Sequence, residues 1–117
     1  MGRRSRKKKG ERVAESVSDY TDADGNVLTL REHVSEGTAR KLADLDSQPA
    51  ASAEDRWQRR SELLFERFAV RWVIFDLPIT QQKELLGRYR MADAELRRWV
   101  RETIDAHIER HQPELLG

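Results

Sequence analysis

Residues 54–76 hold five of the eight Phe, Trp and Tyr side chains of the chain, at spacings that favour a helix. When successive residues are placed 100° apart, one side collects the large apolar residues Trp57, Leu64, Phe65, Phe68, Trp72 and Phe75. Beyond residue 70 the pattern wraps around the helix, because positions that were polar earlier now hold Val70, Val73 and Ile74. We therefore predict a helix over residues 54–76. Its last turns should be buried in the core or against a partner, which makes Val70, Val73 and Ile74 candidate partner contacts.

A β-hairpin is predicted over about residues 16–31. Asp24, Gly25 and Asn26 form a turn signal, because Gly tolerates positive φ and Asx side chains favour local turns. An isolated hairpin is marginal in water, so Leu28 and Leu30 are expected to dock on helices. Apolar spacing and capping residues predict further helices over about residues 37–46, 81–90 and 93–111.

The net charge of +1 conceals an asymmetry between the N-terminus and the rest of the chain. The first twelve residues hold seven basic residues and one acidic residue, with no apolar anchor, whereas the other 105 residues carry a net charge of −5. Residues 1–12 are therefore predicted to be a disordered basic tail. Residues 13–117 are predicted to form one small, mainly α domain, with the N-terminal hairpin packed on a bundle of three to four helices.

The sequence offers little to support catalysis. It contains no cysteine, no glycine-rich phosphate loop and no nucleophile elbow, so we predict a non-enzymatic protein without a cofactor or a small-molecule substrate. His107 and His111 have metal-ligand spacing, but no third ligand lies nearby in the sequence, so no metal site is predicted and His107 is expected to be a hydrogen-bonded core or interface residue. The charged N-terminus is no secretory signal and no stretch is long and apolar enough for a bilayer, which favours a cytoplasmic protein without membrane contact.

Residues 82–101 read as two helices joined by a tight turn. The spacing resembles the helix-turn-helix family of DNA-binding proteins, whose five apolar positions are filled here by Leu85, Tyr89, Met91, Leu96 and Trp99. Two positions depart from the family. Leu86 stands where a small residue is expected at the crossing of the two helices, and Gly87 is one residue away from that position. Arg90 stands where a glycine is expected at the turn. The resemblance implies that Arg97, Arg98 and Arg101 contact DNA. The departures and the balanced charge of residues 78–117 favour an ordinary helical hairpin.

The preferred hypothesis is a small accessory or adaptor protein that binds a macromolecular partner. Its tail would attach to DNA or ribosomal RNA independently of sequence, because each neutralised phosphate releases counterions. The candidate nucleic-acid contacts are Arg3, Arg4, Arg6, Lys7, Lys8, Lys9, Arg97, Arg98 and Arg101. Two alternatives remain open at this stage, a helix-turn-helix transcriptional regulator and a module that binds only proteins, as a homo-oligomer or with another chain.

Overall fold

The computed structural model describes residues 16–47, 49 and 52–116, so the predicted tail over residues 1–12 lies outside the described residues. The strands are β1 (Val17–Thr21), β2 (Val27–Arg31), β3 (Ala69–Ile74) and β4 (Leu77–Ile79). The helices are α1 (Glu36–Ser47), α2 (Ala53–Phe68), α3 (Gln82–Met91) and α4 (Ala94–His111), followed by a short 3-10 helix, Pro113–Leu116.

The four strands form one antiparallel sheet in the order β1-β2-β3-β4. Tyr20, Leu28, Trp72 and Ile79 lie in register across it, and alternate residues of β2 and β3 on this side join the core with Phe65, Phe68, Val100 and Ile108 of the helices. One face of the sheet is therefore packed on helices, as the period-two alternation of a half-buried strand requires. The expected docking of Leu28 and Leu30 is confirmed, since both side chains are fully buried.

The predicted helix over residues 54–76 is wrong beyond Phe68. Helix α2 ends at Phe68 and the chain continues directly as β3. Val70, Val73 and Ile74 are β-branched, which lowers their helix propensity and suits a pleated strand, and β2 supplies a pairing partner. The apolar residues beyond residue 70 fell on new sides of the helical projection because they repeat every second residue, as in a strand, and no longer every 3.6 residues, as in a helix. The architecture is consequently mixed, with a four-stranded sheet and four helices in place of a two-stranded hairpin on a mainly α bundle.

Strands β3 and β4 are joined by a two-residue turn, and both turn residues have positive φ. Phe75 has a φ of 49° and Asp76 a φ of 66°, while Ile74 pairs with Leu77 on either side. Such turns match the twist of a hairpin but normally contain Asn and Gly, because other residues are strained in the left-handed region. Phe75 is also 75% exposed, so burial does not offset the strain.

Asn26 connects the two hairpin turns at this end of the sheet. Its buried side chain accepts a hydrogen bond from the Phe75 amide through Oδ1 at 3.0 Å and donates from Nδ2 to Oδ2 of Asp22 at 3.0 Å. Oδ1 of Asp22 in turn accepts from the backbone amides of Asp24 and Asn26. The turn signal in the sequence therefore fixes the first hairpin and anchors the second.

Candidate nucleic-acid interface

Helices α2 and α4 lie side by side, and their N-terminal halves are joined by an aromatic-cation pair. The guanidinium carbon of Arg101 lies 4.2 Å from the centre of a Trp57 ring. Both helices are fixed at their starts by side-chain caps, because Ser52 accepts from the Asp55 amide and Asp93 accepts from the Leu96 amide. The pair is thus held on two capped helices that are anchored to the core further along their length.

Two clefts flank this pair, and Trp57 and Arg101 border both. The first has a volume of about 350 Å³ and includes Arg60, Arg98 and Asp105. The second includes Arg97, Gln58 and Glu54. The structure therefore brings the three predicted arginines of α4 together and places Arg97 and Arg98 on opposite sides of Trp57.

Arg97 and Arg98 differ from their neighbours in their partners. Arg90 forms an ion pair with Glu62 at 2.7 Å, and Arg60 donates to the Leu115 carbonyl at 3.0 Å. Among residues 16–47, 49 and 52–116, Arg97 and Arg98 form no ion pair. These two guanidinium groups are therefore available for an anionic ligand.

The carboxylate of Asp105 modulates the charge of the first cleft. Partial burial raises the pKa of Asp105 above its ordinary value, although the positive charges of Arg60 and Arg101 oppose the shift. The carboxylate therefore takes up a proton more readily than a fully solvated aspartate. As the pH falls, this cleft gains positive charge.

The helical pair α3–α4 departs from the helix-turn-helix pattern at its turn. Met91, which the pattern expects to be apolar and packed, is 82% exposed, whereas Leu85 and Tyr89 are buried as expected. Arg90, at the position of the expected glycine, reaches Glu62 of α2. The apolar spacing of residues 82–101 is accounted for by packing of α3 and α4 against the common core.

The three candidate partner contacts of β3 separate onto two sides of the sheet. Ile74 is only 4% exposed and belongs to the helix-packed core. Val70 and Val73 are partly exposed, and Val70 is the extra residue of a β-bulge, because Thr29 pairs with Arg71 and Leu30 with Ala69. Val73 alternates with the core residues Trp72 and Ile74, so its side chain lies on the opposite face of the sheet.

The three histidines of the chain lie in a row, although His33 is distant in sequence from the other two. The ring centres of His107 and His111 are 4.6 Å apart and those of His111 and His33 are 6.4 Å apart. Within the part of the chain that the structure describes, no group of three or more His, Cys, Asp or Glu side chains is arranged to hold a metal ion.

His107 is a hydrogen-bonded core residue, as the sequence predicted. Its fully buried ring donates from Nε2 to the Arg31 carbonyl at 2.6 Å, because a carbonyl can only accept. Its Nδ1 therefore accepts the hydroxyl proton of Tyr20, also at 2.6 Å. Burial lowers the pKa of His107, so the neutral ring is the native form and both of its nitrogens are occupied.

Trp57 is the member of this surface that sequence reasoning missed. It was assigned to the buried side of the helix, yet it is 50% exposed. The helical projection gives direction but not depth, and the first turns of α2 extend beyond the sheet and the main core. Its neighbours Arg56, Arg59 and Arg60 were the available signal, because a core-facing first turn is rarely surrounded by so many charges. The predicted contacts Arg3, Arg4, Arg6, Lys7, Lys8 and Lys9 lie outside the described residues.

Comparison of the chain with protein-family models, with curated proteins and with solved structures finds no match. In the described residues, no helix combines the length and the apolar character needed to span a bilayer.

Proposed function

We propose that this protein is a non-enzymatic accessory protein that attaches to nucleic acid independently of sequence. The observation that carries the proposal is the pair of arginines without described ion-pair partners, Arg97 and Arg98, beside Arg101 and the half-exposed Trp57. Arginine is suited to phosphate because its planar guanidinium can donate two parallel hydrogen bonds. The basic tail adds six further cationic side chains between residues 3 and 9.

Sequence-independent attachment is favoured over the reading of bases in the major groove. The start of α4 presents Ala94, which has no polar side-chain atom for a base edge, and Glu95, which would repel phosphate. The two clefts also contain Glu54, Glu102 and Asp105, so the positive charge is local and limited. A small number of phosphate contacts from α4, supplemented by the cationic side chains of residues 3–9, is the arrangement that this charge distribution supports.

The test is the affinity of the full-length protein for fluorescein-labelled single-stranded 20-mers of two unrelated sequences and for the corresponding duplexes. Binding is measured by anisotropy at 50 mM NaCl. For single strands, log affinity falls with log salt by about 0.7 per phosphate contact. Relative to about 1 M salt, each contact therefore strengthens binding roughly eightfold at this salt, and its removal loses that factor. R97Q/R98Q should therefore bind up to about sixtyfold more weakly, and deletion of residues 2–9 should also weaken binding.

The matched control is R40Q/R110Q, which removes the same charge from exposed positions of α1 and α4. Equal affinities of the two double variants would overturn the role of Arg97 and Arg98. A strong preference for one of the two sequences would instead favour a sequence-reading regulator.

A protein partner on the sheet is a second component of the proposed adaptor role. The supporting observation is that two apolar residues of β3, Val73 on the face opposite the core and Val70 at the bulge, remain partly exposed. V70T/V73T keeps the side-chain shapes and the strand propensity. If this face binds a partner, the variant should lose co-purifying protein from its native host without losing thermal stability, whereas an unchanged set of co-purifying proteins would exclude this face.

A further inference from the structure

Trp57 keeps half of its surface exposed although it is the largest apolar side chain of α2. Complete burial of such a ring would contribute more to stability than a half-exposed position does. The ring is nevertheless held in place, because the guanidinium of Arg101 stacks against it at 4.2 Å. An exposed aromatic ring fixed by an arginine provides a flat apolar surface inside a basic region.

We propose that Trp57 is a stacking platform for an unpaired nucleobase, so that this surface prefers single-stranded over double-stranded nucleic acid. The inference rests on the proposed attachment to nucleic acid and specifies its ligand class. Bases within a duplex are stacked on both faces by their neighbours, whereas a single-stranded base has a free face. Stacking on aromatic side chains tolerates any base, which agrees with attachment independent of sequence.

The positions of the arginines fit a strand that crosses α2 and α4 at Trp57. Arg98 lines the cleft on one side of the Trp57–Arg101 pair, and Arg97 lines the cleft on the other side. Phosphates that precede and follow a base on Trp57 would therefore each meet one guanidinium without a described ion-pair partner. A single Trp between two such groups combines the two elements of single-strand binding, a cationic track and an aromatic platform.

The first cleft also has suitable size and composition for a base. Its volume of about 350 Å³ lies in the range of small-ligand sites, and Leu64 and Ile104 add apolar wall to the edge of Trp57. Ser61 and Glu102 provide polar groups at the same wall, which could accept or donate hydrogen bonds without selecting one base.

The test compares wild type, W57L and W57F on an unstructured 20-mer of thymidine and on a 20-base-pair duplex, by anisotropy with the full-length protein. W57L keeps an apolar side chain but removes the aromatic face, and W57F keeps a smaller ring. W57L should bind the single strand at least about tenfold more weakly than wild type, with an unchanged affinity for the duplex. The single-strand affinity of W57F should lie between those of W57L and wild type. The tryptophan fluorescence of wild type should be quenched by the single strand, and W57F should lose this quenching, because Trp72 is fully buried and the partly exposed Trp99 lines a different cleft, beside Phe75 and Asp93.

Three results would overturn the inference. Equal affinities of wild type and W57L for the single strand would remove the stacking role and leave the attachment to nucleic acid standing. An equal loss on single strand and duplex would indicate that Trp57 supports the arginines and does not stack on a base. Absence of binding to either ligand would overturn the proposed function as well.

Discussion

The buried His107 predicts a loss of stability between pH 7.5 and pH 5.5. Its folded-state pKa is lowered, chiefly by burial, with His111 and Arg110 acting in the same direction and the Arg31 carbonyl and Glu32 opposing. The unfolded chain therefore binds a proton near the ordinary pKa of 6.5 while the native ring stays neutral. The stability that the neutral ring contributes is therefore complete above pH 6.5 and is lost as the pH falls below 6.5. The loss ends when the native ring itself is protonated.

The magnitude follows from one proton. Uptake of one proton by the unfolded state alone, at the ordinary pKa of 6.5, lowers the free energy of unfolding by at most about 1.4 kcal/mol between pH 7.5 and pH 5.5. At a urea dependence of about 1–3 kcal/mol per molar, the unfolding midpoint should therefore fall, by no more than roughly 0.5–1.4 M. The assay is urea unfolding followed by far-UV circular dichroism at both pH values.

Two variants separate His107 from the other titrating groups. H107Q retains a donor for the Arg31 carbonyl but cannot titrate, so it should lose most of the pH-dependent shift and cost about 1–3 kcal/mol at pH 7.5. Y20F removes the hydroxyl bonded to Nδ1 but keeps the imidazole, so the shift should persist. An equal change of the urea midpoint in H107Q and wild type between pH 7.5 and pH 5.5 would show that His107 is not the titrating group.

Further predictions concern the hairpin turns and a helix cap. N26A should lower the free energy of unfolding by about 1–2 kcal/mol in urea titrations, because it removes the partly buried hydrogen bond to the Phe75 amide; a cost under 0.5 kcal/mol would show that the turns are not coupled through Asn26. F75N should raise it by about 0.5–1 kcal/mol and the Tm by a few degrees, because Asn tolerates positive φ and Phe75 buries little; a lower Tm would show that Phe75 makes a stabilising contact. D93A should cost about 1 kcal/mol by calorimetry, because Asp93 accepts from the Leu96 amide at the start of α4; an unchanged Tm would exclude a capping contribution.

Local patterns in the sequence were sufficient for the elements that depend on nearby residues. The turn at Asp24-Gly25-Asn26 and the helix over about residues 93–111 were both predicted and are present, the helix as Ala94–His111. Each depends on side chains within a few positions of one another, so composition and spacing carry the necessary information.

The end of α2 depends on the rest of the fold and could not be predicted from spacing alone. Residues 69–74 can satisfy an apolar helical pattern, but β2 offers a hydrogen-bonding edge that makes the strand more stable. Since that edge comes from a hairpin some forty residues earlier in the chain, local periodicity could not reveal it. The same error put Phe75 on a buried helical face, whereas it lies at an exposed turn.

The candidate site was only partly accessible from sequence for the same reason. Arg97, Arg98 and Arg101 were identified because they share the start of one helix. Their association with Trp57 joins residues about forty positions apart and depends on how α2 packs beside α4. Neither helix alone indicates it.

The most direct test of attachment to nucleic acid is the salt dependence of binding to a 20-mer of thymidine. Wild type and R97Q/R98Q should be titrated at several NaCl concentrations between 50 and 200 mM. We expect linear plots of log affinity against log salt, with the slope of the variant smaller in magnitude by about 1.4, since each lost phosphate contact removes about 0.7. Identical slopes, or no saturable binding by wild type at the lowest salt, would contradict the proposal.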